Sequence, residues 1–115
     1  MVDISFVTIN YNSSQYTISL VESIIKNSSD ILYEIIIVDN ASKKDDLFKL
    51  KNFVSDKINI KLIENSINSG FASGNMLGIN YAKGKYYFFI NNDCILLNNT
   101  SKILKDFLDF NEDVG

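Results

Sequence analysis

Polar and aromatic side chains that could bind a ligand follow each of four short apolar runs in this sequence. The four turns read Asn10-Tyr11-Asn12, Asp39-Asn40-Ala41-Ser42, Asn68-Ser69-Gly70-Phe71 and Asn91-Asn92-Asp93. Amides donate and accept hydrogen bonds, a carboxylate accepts them or binds a cation, and an aromatic ring can stack on a flat ligand. Residues of these types indicate recognition of a polar small molecule.

The residue types that are rare or missing limit which catalytic groups, metal sites and disulfides the chain can have. The 115-residue chain has no histidine and one cysteine, Cys94. His-based triads, Cys–His pairs and His-ligated zinc are therefore excluded, and so is an internal disulfide. Cys94 lies in an apolar stretch, which favours a buried thiol over a nucleophile.

The composition is that of one globular domain, with 46% hydrophobic and 22% charged residues. The net charge is −3 and the lysines are scattered, so a nucleic-acid partner is not expected. No apolar run approaches the ~20 residues of a membrane span, and the amino terminus lacks the basic segment of a signal peptide. A cytoplasmic location is favoured, and membrane association of a longer protein stays open.

The turns must be positioned by the apolar runs before them. Strands are predicted over Ile4–Ile9, Glu34–Val38, Ile58–Ile63 and Tyr86–Ile90. The second and fourth runs are nearly continuously hydrophobic, as in strands buried on both faces of a parallel sheet. Helical spacing follows each run, with the third helix leading to Gly84. The alternation predicts one α/β domain over 1–115, a Rossmann-like three-layer sandwich of four β-α units with a mainly parallel sheet.

In such sheets ligands bind outside the carboxyl ends of the strands, so the four turns are expected on one rim. Simple helix capping is the alternative, because helix amino termini favour Asn, Asp and Ser. A nucleotide is the favoured ligand. No glycine directly follows the first strand and no GxxxxGK[ST] motif occurs, which disfavours a dinucleotide fingerprint and excludes a P-loop.

The third predicted helix contains three glycines at steps of four residues, Gly70, Gly74 and Gly78. Glycine destabilises a helix interior by about 0.5–1 kcal/mol relative to alanine, so a structural or functional role is expected for them. Close packing on the sheet is favoured for Gly78. Close approach to a phosphate or ribose is favoured for Gly70.

Together these motifs resemble the family 2 glycosyltransferases, and most of all their rhamnosyltransferase-like and polysaccharide-synthesis members. The likeness runs in order through essentially the whole chain, in the segments Thr8-Ile9-Asn10-Tyr11-Asn12, Val38-Asp39-Asn40-Ala41-Ser42, Asn68-Ser69-Gly70-Phe71-Ala72-Ser73-Gly74-Asn75 and Asn91-Asn92-Asp93. The resemblance implies a GT-A fold and inverting transfer of a sugar from a nucleotide-diphosphate sugar to a glycan or lipid-linked acceptor. This chain would form the donor-binding half.

The resemblance also implies roles for individual residues. Tyr11 would stack on the base, Asp39 would hydrogen-bond the base or ribose, and Asp93 would hold Mg²⁺ or Mn²⁺ against the diphosphate. The same motifs assign a further set of residues to the donor nucleotide: Asn10, Asn12, Asn40, Gly70, Phe71, Asn75 and Asn92. Only one carboxylate remains in Asn91-Asn92-Asp93, which weakens the expectation of a metal. The structural alternatives are a rim aromatic for Tyr11, an Asx-turn for Asp39 and a cap or turn for Asp93.

In this family the acceptor site and the general base lie beyond the fourth strand and its helix. No catalytic base is therefore assigned, and Glu112 and Asp113 are interpreted as a solvated terminus. The chain is expected to be a truncated form, a naturally short relative or a fragment, and to self-associate through the fourth strand or the Phe107–Phe110 helix.

The alternative function is a non-catalytic nucleotide- or sugar-binding module, or a partner-binding remnant of the same fold. A receiver-like domain is disfavoured because no suitable lysine follows Tyr86–Ile90.

Overall fold

The computed structural model describes residues 1–68 and 70–111 as four strands alternating with four helices. The elements are β1 (Ile4–Asn10), α1 (Ser14–Asn27), β2 (Tyr33–Asn40), α2 (Lys44–Val54), β3 (Ile60–Asn65), α3 (Gly70–Ile79), β4 (Tyr86–Phe89) and α4 (Thr100–Phe110). The sheet has the order β3-β2-β1-β4, and all of its neighbouring strands are parallel. The predicted α/β architecture is confirmed. Strand order reverses at β1, which has β2 on one side and β4 on the other.

The two faces of the sheet pack against different helices. On one face Phe6 and Ile35 pack with Leu20 and Ile24 of α1, in a cluster that also takes in Leu50 of α2. On the other face a smaller cluster of Val7, Ile36 and Val38 packs with Leu77 of α3. These two clusters make the three layers that the alternation of strands and helices predicts.

Helix α3 approaches the sheet closely because its buried positions are glycines. A Cβ atom at Gly78 would lie 2.6 Å from Val7 Cγ1, and one at Gly74 would lie 2.7 Å from Ile9 Cδ1. Side chains at these positions would push α3 away from β1 and β2. The prediction that Gly78 serves close packing is confirmed.

Several predictions from the sequence are wrong in detail. Tyr87 and Phe89 are 45% and 44% exposed, so β4 is not buried on both faces. The reason is that β4 is an edge strand and α3 packs over β1 and β2. Cys94 is exposed rather than buried, because the segment after β4 runs over the surface.

Element ends also differ from the prediction. Strand β3 begins at Ile60 because Ile58 is fully exposed, and α3 ends at Ile79 rather than near Gly84. Glu112 and Asp113 lie outside the described residues. Among the residues that are described, no helix is long and apolar enough to cross a membrane.

Candidate functional site

A cleft of about 310 Å³ opens at the carboxyl ends of β1, β2 and β4, beside the start of α3. Its lining consists of Ile9, Tyr11, Asn40, Asn68, Gly70, Phe71, Ile90, Asn91, Asn92 and Asp93. Residues from all four predicted turns therefore meet in one place. Of the described residues predicted for the site, Asn10, Asn12, Asp39 and Asn75 are not among those that line the cleft.

Two aromatic rings give the cleft surfaces on which a flat ligand could stack. Tyr11 and Phe71 are each 51% exposed, although both are large and one is wholly apolar. Ile9 and Ile90 add apolar surface between the polar groups of the lining. Exposed rings beside amides suit a ligand with a flat apolar part and polar edges.

The start of α3 is tied to the end of β2. Gly70 has φ +85°, a backbone conformation that glycine adopts without strain. Asn40 Nδ2 donates to the Gly70 carbonyl at 3.2 Å, and Asn65 Nδ2 donates to Asn40 Oδ1 at 3.1 Å. The Asn68 side chain accepts a hydrogen bond from the Gly70 N–H at 3.0 Å. These bonds fix the helix amino terminus at the cleft.

Asp39 lies beneath the surface rather than in the cleft. Its Oδ1 accepts from Ser42 Oγ at 2.6 Å, and its Oδ2 accepts from the Ser42 N–H at 3.1 Å. Both bonds come from Ser42, three residues after Asp39, so Asp39 has a local turn role like the structural alternative, although its turn is one residue longer than an Asx-turn. Asp39 is 1% exposed and borders a separate depression of about 550 Å³ that also includes Asn65 and Ser66. Its role in binding the base or ribose stays a prediction.

Asn10 is also buried, and its side chain is fully engaged. Its Nδ2 donates to Asp39 Oδ1 and to Asp46 Oδ2, each at 3.0 Å. Its Oδ1 accepts from Thr17 Oγ1 at 2.7 Å. Asn12 joins the same pair of loops from outside, since its N–H donates to Ser42 Oγ at 2.9 Å. Direct contact of Asn10 or Asn12 with a nucleotide stays a prediction.

The pKa of Asp46 is lowered by hydrogen bonds of the same network. Burial by itself would raise the pKa of Asp46, but hydrogen bonds from Asn10 and Ser14 outweigh it, and the pKa lies below its ordinary value. The Ser14 N–H donates to Asp46 Oδ1 at 3.0 Å. Asp46 therefore stays ionised beside Asn10 at neutral pH.

Asp93 is exposed in the cleft and is the only carboxylate among the described residues that line it. Within residues 1–68 and 70–111 no group of three His, Cys, Asp or Glu side chains could hold a metal ion. A hard cation such as Mg²⁺ takes about six oxygen ligands, and these can come from phosphates and water as well as from protein. The site therefore fits a cation that Asp93 shares with a phosphate-bearing ligand.

Sequence reasoning missed three side chains that support the cleft, namely Ser13, Thr17 and Asp46. Asn92 Nδ2 donates to Ser13 Oγ at 2.7 Å and to Thr17 Oγ1 at 3.0 Å. Thr17 lies three residues before Leu20 and four before Val21, so the helical period would have placed it on the buried face of α1. No sequence signal indicates its partners, because they come from other elements.

Sequence comparisons with known proteins find glycosyltransferases. A family model for Glycosyl transferase family 2 matches residues 5–115. Polypeptide N-acetylgalactosaminyltransferase 11 of Xenopus tropicalis is 32% identical over 72 residues, which are 60% of this chain and 12% of that protein.

Two solved structures share the fold. S. aureus TarS 1-349 in complex with UDP-GlcNAc has a TM-score of 0.82 and 24% identity, and the match covers 96% of this chain and 32% of that one. Mannosyltransferase PcManGT from Pyrobaculum calidifontis, in complex with GDP-Man and Mn²⁺, has a TM-score of 0.78 and 16% identity, over 89% and 31% of the two chains. The chain thus spans about a third of the length of these solved relatives. Because the family match covers nearly all of it, the chain belongs to glycosyl transferase family 2.

Proposed function

We propose that this chain binds the donor in a glycosyltransferase that moves a sugar from a nucleotide-diphosphate sugar to a glycan or lipid-linked acceptor. The observation that carries the proposal is the cleft at the strand ends, where Tyr11, Phe71 and Asp93 meet. Family membership supports it, and so do the UDP-GlcNAc and GDP-Man complexes of the two solved relatives. The free, exposed thiol of Cys94 fits a reducing, cytoplasmic compartment.

The nucleoside would occupy the aromatic end of the cleft. Tyr11 and Phe71 offer ring faces for the base, and amides such as Asn68 offer donors and acceptors to its edge. The diphosphate would lie near Gly70, where the amino end of α3 favours negative charge. Asn40 would act by holding that helix end through the Gly70 carbonyl.

A divalent cation, Mg²⁺ or Mn²⁺, would be held by Asp93 together with the diphosphate. Such a cation supplies positive charge that stabilises the departing diphosphate. Because Asp93 offers a single carboxylate, we expect the cation to bind much more tightly when the nucleotide is present.

The test is an amide-resolved NMR titration with UDP, GDP and dTDP, each with and without Mg²⁺. We expect shifts at Tyr11, Gly70, Phe71 and Asp93 that grow with Mg²⁺. Asp93→Asn should remove the effect of Mg²⁺ and leave metal-free binding nearly intact. Asp30→Asn is the matched control, because Asp30 is exposed and precedes β2, at the end of that strand opposite to the cleft. No shift with any of the three nucleotides would contradict the proposal.

The second candidate is a non-catalytic nucleotide-binding module of the same fold. The observation that favours it is the engagement of Asp39, whose carboxylate is already hydrogen-bonded to Asn10 and Ser42. If neither Mg²⁺ nor the Asp93→Asn substitution changes the nucleotide affinity, this candidate is supported over a transferase donor site.

A further inference from the structure

A line of three hydrogen bonds, two of them buried and the one from Asn92 partly buried, connects the loop that carries Asp93 to the loop that carries Asp39. Asn92 Nδ2 donates to Thr17 Oγ1 at 3.0 Å, and Thr17 Oγ1 donates to Asn10 Oδ1 at 2.7 Å. Asn10 Nδ2 then donates to Asp39 Oδ1 at 3.0 Å. The line crosses from the end of β4 through α1 and β1 to the end of β2.

The chemistry of the groups fixes the direction of every bond in this line. A carboxylate only accepts, so the amide NH₂ of Asn10 must face Asp39 and Asp46, and its carbonyl must face Thr17. Thr17 has one hydroxyl proton and gives it to Asn10, so it must accept from Asn92. Asn10 and Thr17 are fully buried, so water does not compete for these bonds.

The loop at Asn92 is joined to α1 by the first bond of this line and, beside it, by a bond from Asn92 Nδ2 to Ser13 Oγ at 2.7 Å. The Asn92 side chain reaches α1, while Asp93 next to it is exposed at the cleft. The other bonds described near Asp93 run from the Ile90 N–H to the Val7 carbonyl, from the Cys94 N–H to the Asn91 carbonyl and from the Cys94 thiol to Asp93 Oδ1 at 3.9 Å. Three residues after Asp93, the buried Leu96 is hydrogen-bonded to Ser23 and Asn27 of α1. Among the described residues, Asn92 thus anchors the loop to α1 before Asp93, and Leu96 attaches the same segment to α1 after it.

We infer that Asn10, Thr17 and Asn92 are positioning residues that hold the Asp93 loop at a set distance from the Asp39 loop. The inference rests on the proposed donor site, because it assigns these residues the task of placing the cation-binding end of the cleft relative to its nucleoside-binding end. Asn10 and Thr17 are buried and would act without touching the donor, whereas Asn92 also lines the cleft.

Substitutions of Thr17 test the inference, because two variants distinguish the effect of losing the hydroxyl from the effect of changing the packing. Thr17→Val removes the hydroxyl and nearly keeps the volume, whereas Thr17→Ser keeps the hydroxyl and loses a methyl group. In the ligand-free protein we expect Thr17→Val to shift the backbone amide signals of Asn92 and Asp93, and Thr17→Ser to leave them close to wild type. A loss of packing alone would give the opposite order.

Binding gives a second readout. We measure UDP and GDP affinity with and without Mg²⁺, and the ratio of the two affinities reports the cation-binding end of the cleft. Thr17→Val should reduce this ratio about five- to tenfold, the effect of one lost hydrogen bond. Thr17→Ser should restore it, and metal-free affinity should barely change in either variant.

Asn92→Ala keeps the inference testable if Thr17→Val fails to fold, because Asn92 is only half-buried and lies in a loop. It should move the Asp93 signal and reduce the Mg²⁺ ratio as Thr17→Val does. The inference would be overturned if Thr17→Val or Asn92→Ala folded and kept both the wild-type Asp93 signals and the wild-type ratio of nucleotide affinities with and without Mg²⁺. A wild-type chain that binds no nucleotide would instead contradict the proposed function, and the ligand-free signals would still decide this one.

Discussion

Asn10 sits between two carboxylates, Asp39 and Asp46, and donates to both from one amide nitrogen. Its carbonyl faces the hydroxyl of Thr17, which donates to it. Only an amide meets both demands, because an aspartate in this place would offer a third negative charge and no donor at neutral pH. The site therefore depends on the side-chain chemistry of Asn10 as well as on its size.

Asn10→Asp is expected to lower the free energy of unfolding by about 3 kcal/mol at about pH 7.5, since it buries a charge beside like charges. Burial and like charges both raise the pKa of the new carboxyl above its unfolded value, so the folded state binds more protons. The loss should therefore shrink at about pH 5, as measured by urea unfolding at both pH values. Asn80→Asp, the same change at an exposed position of the chain, should cost little at either pH. An equal loss for Asn10→Asp at the two pH values would contradict this account.

The sequence predicts which residues stand at the strand ends, but it does not predict which of them are available to a ligand. Tyr11 and Asp39 each follow a strand directly, yet Tyr11 is half exposed and Asp39 is buried. The difference arises because Ser42 folds back on Asp39 and Asn10 covers it from β1. Ser42 is only three positions after Asp39, but Asn10 is 29 positions before it, and no local pattern reports that contact.

At the scale of elements, α2 caps α1. The Ser13 side chain makes no cap hydrogen bond, and the Ser14 N–H instead donates to Asp46 of α2 at 3.0 Å. A carboxylate at a helix amino terminus accepts from a free N–H and interacts favourably with the helix dipole. The packing of α1 on α2 is thereby linked to the charge of Asp46.

Asp46→Asn should lower the free energy of unfolding by about 1 kcal/mol at neutral pH, in proportion to a lost charged cap. The pKa of Asp46 is lowered in the folded state, so this contribution is present above its ordinary value of 3.8 and is lost as the pH falls below it. Denaturant unfolding should thus show the gap to wild type closing in acid. Asp45→Asn is the matched control, because Asp45 shares the first turn of α2 but does not contact α1 through a described bond. Equal losses for the two variants would assign the effect to α2 alone.

Gly78→Ala tests the closeness of α3 to the sheet. Alanine normally stabilises a helix relative to glycine, but here its Cβ would lie 2.6 Å from Val7 Cγ1, a buried β-branched side chain. We expect the variant to be less stable by about 1–3 kcal/mol, the usual effect of overpacking, and to melt at a lower temperature. Ser73→Ala, at an exposed position of the same helix, should be neutral or slightly stabilising. A raised melting temperature for Gly78→Ala would show that α3 can move away from β1 without loss.

The elements also mark the limit of prediction from apolar runs. Glu34–Val38 and Tyr86–Ile90 look alike as sequences, yet β2 is buried on both faces and β4 is exposed on one. A hydrophobic run predicts a strand, but its burial depends on what packs over each face. Helix α3 covers β1 and β2, and its position is set by the glycines that face Val7 and Ile9.

At the scale of the whole molecule, the uncovered apolar surface is concentrated at β4 and α4. A groove of about 360 Å³ runs between them, lined by Tyr86, Phe88, Leu104, Phe107 and Leu108 among others. Asp109 of α4 accepts hydrogen bonds from Tyr86 Oη and Lys85 Nζ at 2.6 Å each, which joins α4 to the start of β4. Phe110 is 92% exposed beyond the groove. In the part of the chain that the structure describes, β4 pairs with β1 alone, so its outer edge carries unpaired backbone groups.

An unpaired strand edge beside exposed aromatic side chains is a surface that tends to associate. We therefore expect this chain to self-associate through β4 and α4, with a sedimentation coefficient that rises with protein concentration. Phe107→Glu should shift the protein toward monomer, because a carboxylate in the contact would lose its hydration without gaining a partner. Phe48→Glu is the matched control, since Phe48 is also exposed, at 62% against 52% for Phe107, but lies on α2, near β3. Equal effects of the two variants would indicate non-specific association of exposed apolar side chains. A wild-type chain that stays monomeric at high concentration would contradict the expectation.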